Sequence, residues 1–245
     1  VEGDPGAETL AVVSGDPLFQ TVQLTGERLP LDSDKVRLLA PVIPRSKVIG
    51  IGRNYADHAA ELGNEVPKEP LLFLKPNTSV IGPGDPIALP RQSANVHYEG
   101  ELAVVIGRLC KDVPLERVSE VVLGYTIAND VTARDLQKSD GQWARAKGFD
   151  TFCPLGPYLV TDLDASDLKL TTRLNGKIVQ DGRTSQLIHD IPALVAYVSA
   201  AFTLLPGDVI LTGTPAGVGP LAKGDRVEVE IEGIGILSNP VVTLD

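Results

Sequence analysis

The segment Val96-His97-Tyr98-Glu99-Gly100-Glu101-Leu102-Ala103-Val104-Val105-Ile106-Gly107 most narrows what this chain can become. Along an extended strand side chains alternate, so Glu99 and Glu101 project from one face, which continues through the apolar Ala103 and Val105. Two carboxylates aimed at an interior repel each other and are costly to desolvate unless a cation neutralises them. A hard divalent ion that takes oxygen ligands, Mg²⁺ or Mn²⁺, meets that need. The alternative is a strand that starts only at Leu102, with both glutamates in solvent. A third carboxylate bears on the choice: the apolar run 121–128 leads straight into Asn129-Asp130. Glu99, Glu101 and Asp130 together would leave coordination positions open for water and substrate. Taken alone, Asp130 can equally cap the following turn.

The rest of the pattern is short strands separated by Gly- and Pro-rich turns. Residues 47–52 form a β-branched run suited to a buried strand, and 56–62 have helix-forming composition stopped by Gly63-Asn64. Strands are expected over 71–75, 101–107, 121–128, 209–212, 226–232 and 241–244, while Gly and Pro break 80–90 into turns. Asn175-Gly176 joins strands over 168–175 and 177–180 and suits a type I′ turn, whose two central residues need positive φ. One longer helix is expected. Asp190 is its cap, Pro192 lies in its first turn, and Ile191, Leu194, Val195, Val198 and Phe202 recur at helical spacing before Pro206-Gly207-Asp208 ends it. Many strands, one or two helices and no βαβ alternation predict a β-rich α+β fold. Residues 1–45, rich in Gly, Pro and Asp, read as a small N-terminal β module, and 46–245 as the main domain.

The charge balance excludes several functions. The 245 residues carry a net charge of −10 and no Lys/Arg block, against nucleic acid and anionic membrane surfaces as partners. The longest apolar stretch, 191–205, contains Pro192, Ser199 and Thr203 and falls short of the roughly 20 apolar residues a spanning helix needs. Cys110 and Cys153 lie far apart and in no metal-binding spacing, which fits a reducing cytoplasm, the expected location. No Gly-x-Ser-x-Gly is present, so acyl-enzyme chemistry has no support.

A second group of residues can move protons. On a helix His58 and Glu61 are three apart and share a face; the Glu would fix the tautomer of the His and raise its basicity. The bland alternative is a surface His–Glu contact. Lys147 could neutralise a substrate carboxylate or be an ordinary solvated lysine. Residues 212–219 could present backbone N–H groups to an anion or be a plain turn. His189, just before the helix cap, reads as structural.

Taken together, Gly52-Arg53-Asn54-Tyr55-Ala56-Asp57-His58, Phe73-Leu74-Lys75-Pro76, His97-Tyr98-Glu99-Gly100-Glu101-Leu102, Asn129-Asp130-Val131-Thr132-Ala133-Arg134-Asp135, Trp143-Ala144-Arg145-Ala146-Lys147 and Leu211-Thr212-Gly213-Thr214-Pro215 resemble the fumarylacetoacetate hydrolase family. The resemblance covers roughly 41–245 and is strongest toward short bacterial members, acylpyruvases and oxaloacetate decarboxylases. It implies a mixed β-roll or sandwich core, a homodimer, and Mg²⁺ or Mn²⁺ held by Glu99, Glu101 and Asp130. It further implies a water-activating pair in His58 and Glu61, on a segment that in relatives can order as a lid. Lys147 would meet the metal-bound substrate, and Arg53, Lys75, Gln137 and Thr214 would be polar pocket positions. The expected reaction is C–C hydrolysis of an acylpyruvate-type 2-oxo acid through a metal-stabilised enolate, releasing pyruvate. Oxaloacetate decarboxylation or isomerisation of a 2-hydroxyhepta-2,4-diene-1,7-dioate type of substrate shares that enolate. A non-catalytic binding module with a vestigial pocket is the alternative of another class.

Overall fold

The strand Gly100–Ile106 runs through the middle of the molecule with every residue buried. In the computed structural model, which describes residues 1–4, 7–32 and 36–243, it pairs antiparallel with Val122–Asn129 on one side and Val209–Leu211 on the other. These strands belong to a seven-stranded mixed sheet, in which Val209–Leu211 also runs parallel to Val48–Gly52. A five-stranded sheet lies against it, built around Lys169–Leu174, Arg226–Ile231 and Gly235–Thr243. Leu102, Val104 and Ile106 pack with Leu170, Val229 and Ile231 between the two sheets. Ala103 and Val105 point the other way, into a second cluster with Val48, Ala128, Leu155 and Val209. Burial on both faces is why this strand reads as a continuous apolar run.

The helices are few: α1 (Ala56–Glu61), α2 (Arg134–Ser139), α3 (Ala144–Gly148) and α4 (Ile191–Ala201). The Asp190 carboxylate accepts the Ala193 N–H at 2.9 Å, capping α4, and Ile191, Leu194, Val195 and Val198 are its buried face. Such a cap contributes about 1 kcal/mol. Asn175 and Gly176 have φ of 52° and 80°, both positive, as the hairpin turn requires. The result is a β-rich α+β fold with two mixed sheets.

Three local expectations differ. Residues 80–90 are not all turn: Val80–Ile81 and Ile87–Leu89 each add a short parallel strand to a sheet edge. Strands of two and three residues are too short to show alternation. The helices α2 and α3 were likewise not anticipated, because six and five residues do not establish a helical period. The last strand begins at Gly235 rather than 241, and Leu244 lies outside the described residues. Near the N-terminus, Thr9–Val13 and Leu24–Pro30 form their own two-stranded antiparallel sheet. Cys110 and Cys153 are both buried free thiols. Among the described residues no helix is long and apolar enough to cross a membrane.

Candidate active site

Glu99 sits at the break between the strand Val96–Tyr98 and the strand Gly100–Ile106. Its backbone is pinned from the neighbouring strand end: the Glu99 N–H donates to Asn129 Oδ1 at 2.9 Å, and the Asp130 N–H donates to the Glu99 carbonyl at 2.8 Å. Those two bonds bring Asp130 beside the glutamates. Glu99, Glu101 and Asp130 are all buried and offer carboxylate oxygens within 4.8 Å of one another. The strand therefore does begin before Leu102, and the glutamates do not stand in solvent.

Cations hold two of the three. Lys147 Nζ bridges Glu99 Oε2 at 2.9 Å and Asp130 Oδ2 at 2.5 Å. Arg134 donates to Glu99 Oε1, and Lys75 donates to Asp130 Oδ1 at 2.5 Å. Burial alone would raise the Glu99 carboxyl, but Arg134, Lys147 and His58 outweigh it and hold the group far below the usual carboxylate range. Glu101 is treated differently. Among the described residues the one donor to its carboxylate is the Gly213 N–H at 2.7 Å. Burial, then the charges of Asp130 and Glu99, push it well above the usual range. A buried carboxylate with no cation of its own, facing two others, is the gap that a divalent ion fits. The all-oxygen donor set suits Mg²⁺ or Mn²⁺.

These groups open onto a cavity of about 440 Å³. Glu99, Glu101, Lys147 and His58 all line it. His58 lies on α1, buried, with Nδ1 3.5 Å from Glu61 Oε2. That pair is loose, because both Glu61 oxygens instead accept the Gly217 N–H, at 3.1 and 3.2 Å. The net effect on His58 is the reverse of the sequence expectation. Burial lowers its pKa more than Glu99 and Glu61 raise it, and Arg134 and Lys147 lower it further. The imidazole is therefore neutral at pH 7 and able to accept a proton.

The remaining expected pocket residues divide. Arg53 lines the cavity at φ 59° and has no hydrogen bond or ion pair among the described residues. Non-glycine residues hold positive φ at a cost, and such strain concentrates at functional sites. Gln137 also lines the cavity, its Oε1 accepting from Arg134 at 3.0 Å. Thr214 lines it too, but its hydroxyl donates to the Gly100 carbonyl and accepts from Gln180 Nε2, both at 2.8 Å, so its contacts serve the fold. Lys75 does not line the cavity. Its side chain is 0% exposed and lies behind Asp130, where it also donates to the Val131 carbonyl at 3.2 Å. There it serves as a buried counter-ion to Asp130.

Arg134 and Trp143 line the cavity without having been singled out. A signal for Arg134 existed. It opens α2, and a cation at a helix N-terminus opposes the helix dipole unless an anion such as Glu99 holds it. Trp143 packs edge-on against Phe73 with ring centroids 5.5 Å apart, and Lys147 Nζ lies 4.8 Å from the Phe73 centroid. The loop 212–219 does present N–H groups to anions, but those anions are the chain's own Glu101 and Glu61.

The family described as fumarylacetoacetate (FAA) hydrolase C-terminal matches residues 47–242, and one described as Rv2993c-like, N-terminal, matches residues 1–41. Protein Rv2993c of Mycobacterium tuberculosis is 58% identical over 98% of this chain and 90% of its own. The human mitochondrial oxaloacetate tautomerase FAHD2A is 47% identical over 86% of this chain and 71% of its own. A crystal structure of 5-carboxymethyl-2-hydroxymuconate delta-isomerase from Mycobacterium smegmatis is 56% identical, with a TM-score of 0.89 over 99% of this chain and 93% of that one. The structure of maleylpyruvate hydrolase from Sphingobium sp. SYK-6, in complex with manganese(II) and pyruvate, is 38% identical, with a TM-score of 0.77 over 89% and 78%.

Proposed function

The chain belongs to the fumarylacetoacetate hydrolase family, and from that premise we propose that it is a divalent-metal-dependent enzyme that forms an enolate at C3 of a 2-oxo acid. The observation that carries this reading is one cavity lined by the buried Glu99 and Glu101 carboxylates, the Lys147 ammonium and a neutral His58, with the Asp130 carboxylate within 4.8 Å of the two glutamates. Glu99, Glu101 and Asp130 would hold Mg²⁺ or Mn²⁺, which would supply Lewis-acid stabilisation of charge developing on a 2-oxo oxygen. Lys147 meets the same charge from the protein side. His58 takes or returns the proton.

The charges also point to the substrate class. Lys75, Lys147 and Arg134 pair with Glu99 and Asp130 only, but their three charges equal those of the three carboxylates in number, so a divalent ion leaves the pocket with net positive charge. Arg53, at the cavity wall and without a partner among the described residues, adds to that. A 2-oxo acid with a second, distal carboxylate complements such a pocket.

Proton transfer at C3, a keto–enol or double-bond isomerisation, is the first reading. Two relatives at 47% and 56% identity are named a tautomerase and an isomerase, and a loosely paired His58 suffices for it. C–C hydrolysis to pyruvate is the second, favoured by Glu61 lying beside His58 and by the 38% identical maleylpyruvate hydrolase. A homodimer in the cytoplasm completes the proposal.

The test follows enol loss from oxaloacetate by ultraviolet absorbance, and pyruvate release from acetylpyruvate and fumarylpyruvate, with Mg²⁺ and after EDTA. EDTA-sensitive enol loss supports isomerisation, and EDTA-sensitive pyruvate release from an acylpyruvate moves the assignment to hydrolysis. Turnover that EDTA leaves untouched defeats the metal assignment. His58→Ala is expected to lower kcat by about 10²–10⁴-fold without changing Mg²⁺ affinity in calorimetry. Arg53→Ala is expected to raise KM for a dicarboxylic substrate by about tenfold to a hundredfold, the loss of one charged hydrogen-bonding partner. Acetylpyruvate, which has no second carboxylate, should show no such change.

A further inference from the structure

Glu61 is held by a peptide group rather than by His58. The Gly217 N–H donates to both of its carboxylate oxygens, and the carbonyl of the same residue accepts the Tyr98 hydroxyl at 3.0 Å. Gly217 has φ +100°, and a Cβ there would lie 1.9 Å from the Val179 carbonyl oxygen, so nothing larger than glycine brings this peptide so close to its neighbour. The loop it ends is braced elsewhere as well. Gln180, buried, donates from Nε2 to Thr214 Oγ1 and to the Pro215 carbonyl, both at 2.8 Å, and its Oε1 accepts the Gly100 N–H at 3.0 Å. The other end of the loop gives its Gly213 N–H to Glu101.

We infer that Tyr98 is a positioning residue: its hydroxyl holds the carbonyl of Gly217, the residue whose own N–H, in the preceding peptide, seats Glu61 and, through α1, places His58 at the cavity. Tyr98 does not line the cavity, so it acts through the peptide and never touches substrate. Its ring is buried among Val96, Val131 and Leu221, which anchors the hydroxyl to the core. The kinetic part of the inference rests on the proposed proton-transfer role of His58; the structural part does not.

Tyr98→Phe keeps the ring and removes only the hydroxyl. Amide hydrogen exchange is read at Ala59, Leu62 and Asn64, whose N–H groups close α1 and its end onto Tyr55, His58 and Ala59. Exchange there should accelerate by up to about tenfold, the worth of one hydrogen bond, with amides of Gly100–Ile106 unchanged. On the best 2-oxo acid, kcat should fall by a comparable factor, while KM and Mg²⁺ affinity stay constant. In a Glu61→Ala background, Tyr98→Phe should change neither exchange nor kcat further. Wild-type exchange in α1 of Tyr98→Phe, or an equal loss in both backgrounds, overturns the inference.

If Tyr98→Phe unfolds the core, Glu61→Ala decides by itself. It should expose the Gly217 amide to exchange while Gly213 stays protected, and a protected Gly217 overturns the proposal. Linked exchange in a protein that turns over no 2-oxo acid would sustain the positioning role and remove the proposed function.

Discussion

Glu101→Gln is expected to lower metal-dependent turnover by at least about a thousandfold, the several kcal/mol that a Lewis acid supplies, and yet to make the metal-free protein more stable. The two effects have one cause. Glu101 is a buried carboxylate that faces Asp130 and Glu99, with a backbone N–H as its donor and no ion pair among the described residues; the nearby Lys147 charge only partly offsets the two carboxylates. Its amide isostere keeps an oxygen for the Gly213 N–H and removes the like charge. Neutralising an uncompensated buried charge at equal volume stabilises by about 1–4 kcal/mol, several degrees in Tm for a chain of this size.

The pH dependence has a definite sign. Because Glu101 titrates above its unfolded value of 4.5, the folded chain binds more protons there than the unfolded chain. The metal-free wild type therefore loses stability as pH rises from about 4.5 toward the raised value. Glu99, held low, acts oppositely: its contribution is present above the unfolded pKa and lost as pH falls toward the lowered one. Thermal unfolding in EDTA at about pH 5 and about pH 8 should show the Glu101→Gln advantage growing with pH. A variant less stable than wild type at about pH 8 in EDTA would mean that Glu101 already has a compensating cation in the metal-free protein.

Lys75→Met should damage folding far more than catalysis. Breaking a buried ion pair by removing one partner costs about 3–5 kcal/mol, and Lys75 is fully enclosed behind Asp130. A Tm drop on the order of 10 °C is expected, with KM within about twofold of wild type on the folded protein. Excess Mg²⁺ should restore part of the lost stability, because Asp130 then has an oxygen free for the ion and binding favours the folded state. An unchanged Tm with a KM raised tenfold would instead make Lys75 a substrate contact.

The parts of the site that were legible were those with a local signature. Glu99 and Glu101 are two residues apart on one strand, and Asp130 ends an apolar run. His58 and Glu61 are three apart on a short helix. The parts that were not legible depend on distant segments. Lys75 meets Asp130 across 55 positions, and the Gly217 N–H meets Glu61 across 156. Spacing could suggest that His58 and Glu61 pair, but it could not show that Gly217 takes both Glu61 oxygens or that burial outweighs Glu61 in setting the His58 charge. The same holds for α2 and α3, whose five or six residues owe their helicity to packing beside the site rather than to propensity.

By itself the sequence determined the strand-rich fold, the α4 helix with its Asp190 cap, the Asn175-Gly176 turn and the acidic face at Glu99 and Glu101. All of these follow from short-range periodicity and turn chemistry. Tertiary structure alone decided which cations neutralise those carboxylates and that, among the described residues, Glu101 is left without an ion pair and Arg53 without a partner at the cavity wall. The reason is physical. Backbone periodicity is written residue by residue, whereas the energy of a buried charge depends on distance and desolvation, which exist only once the sheets have packed.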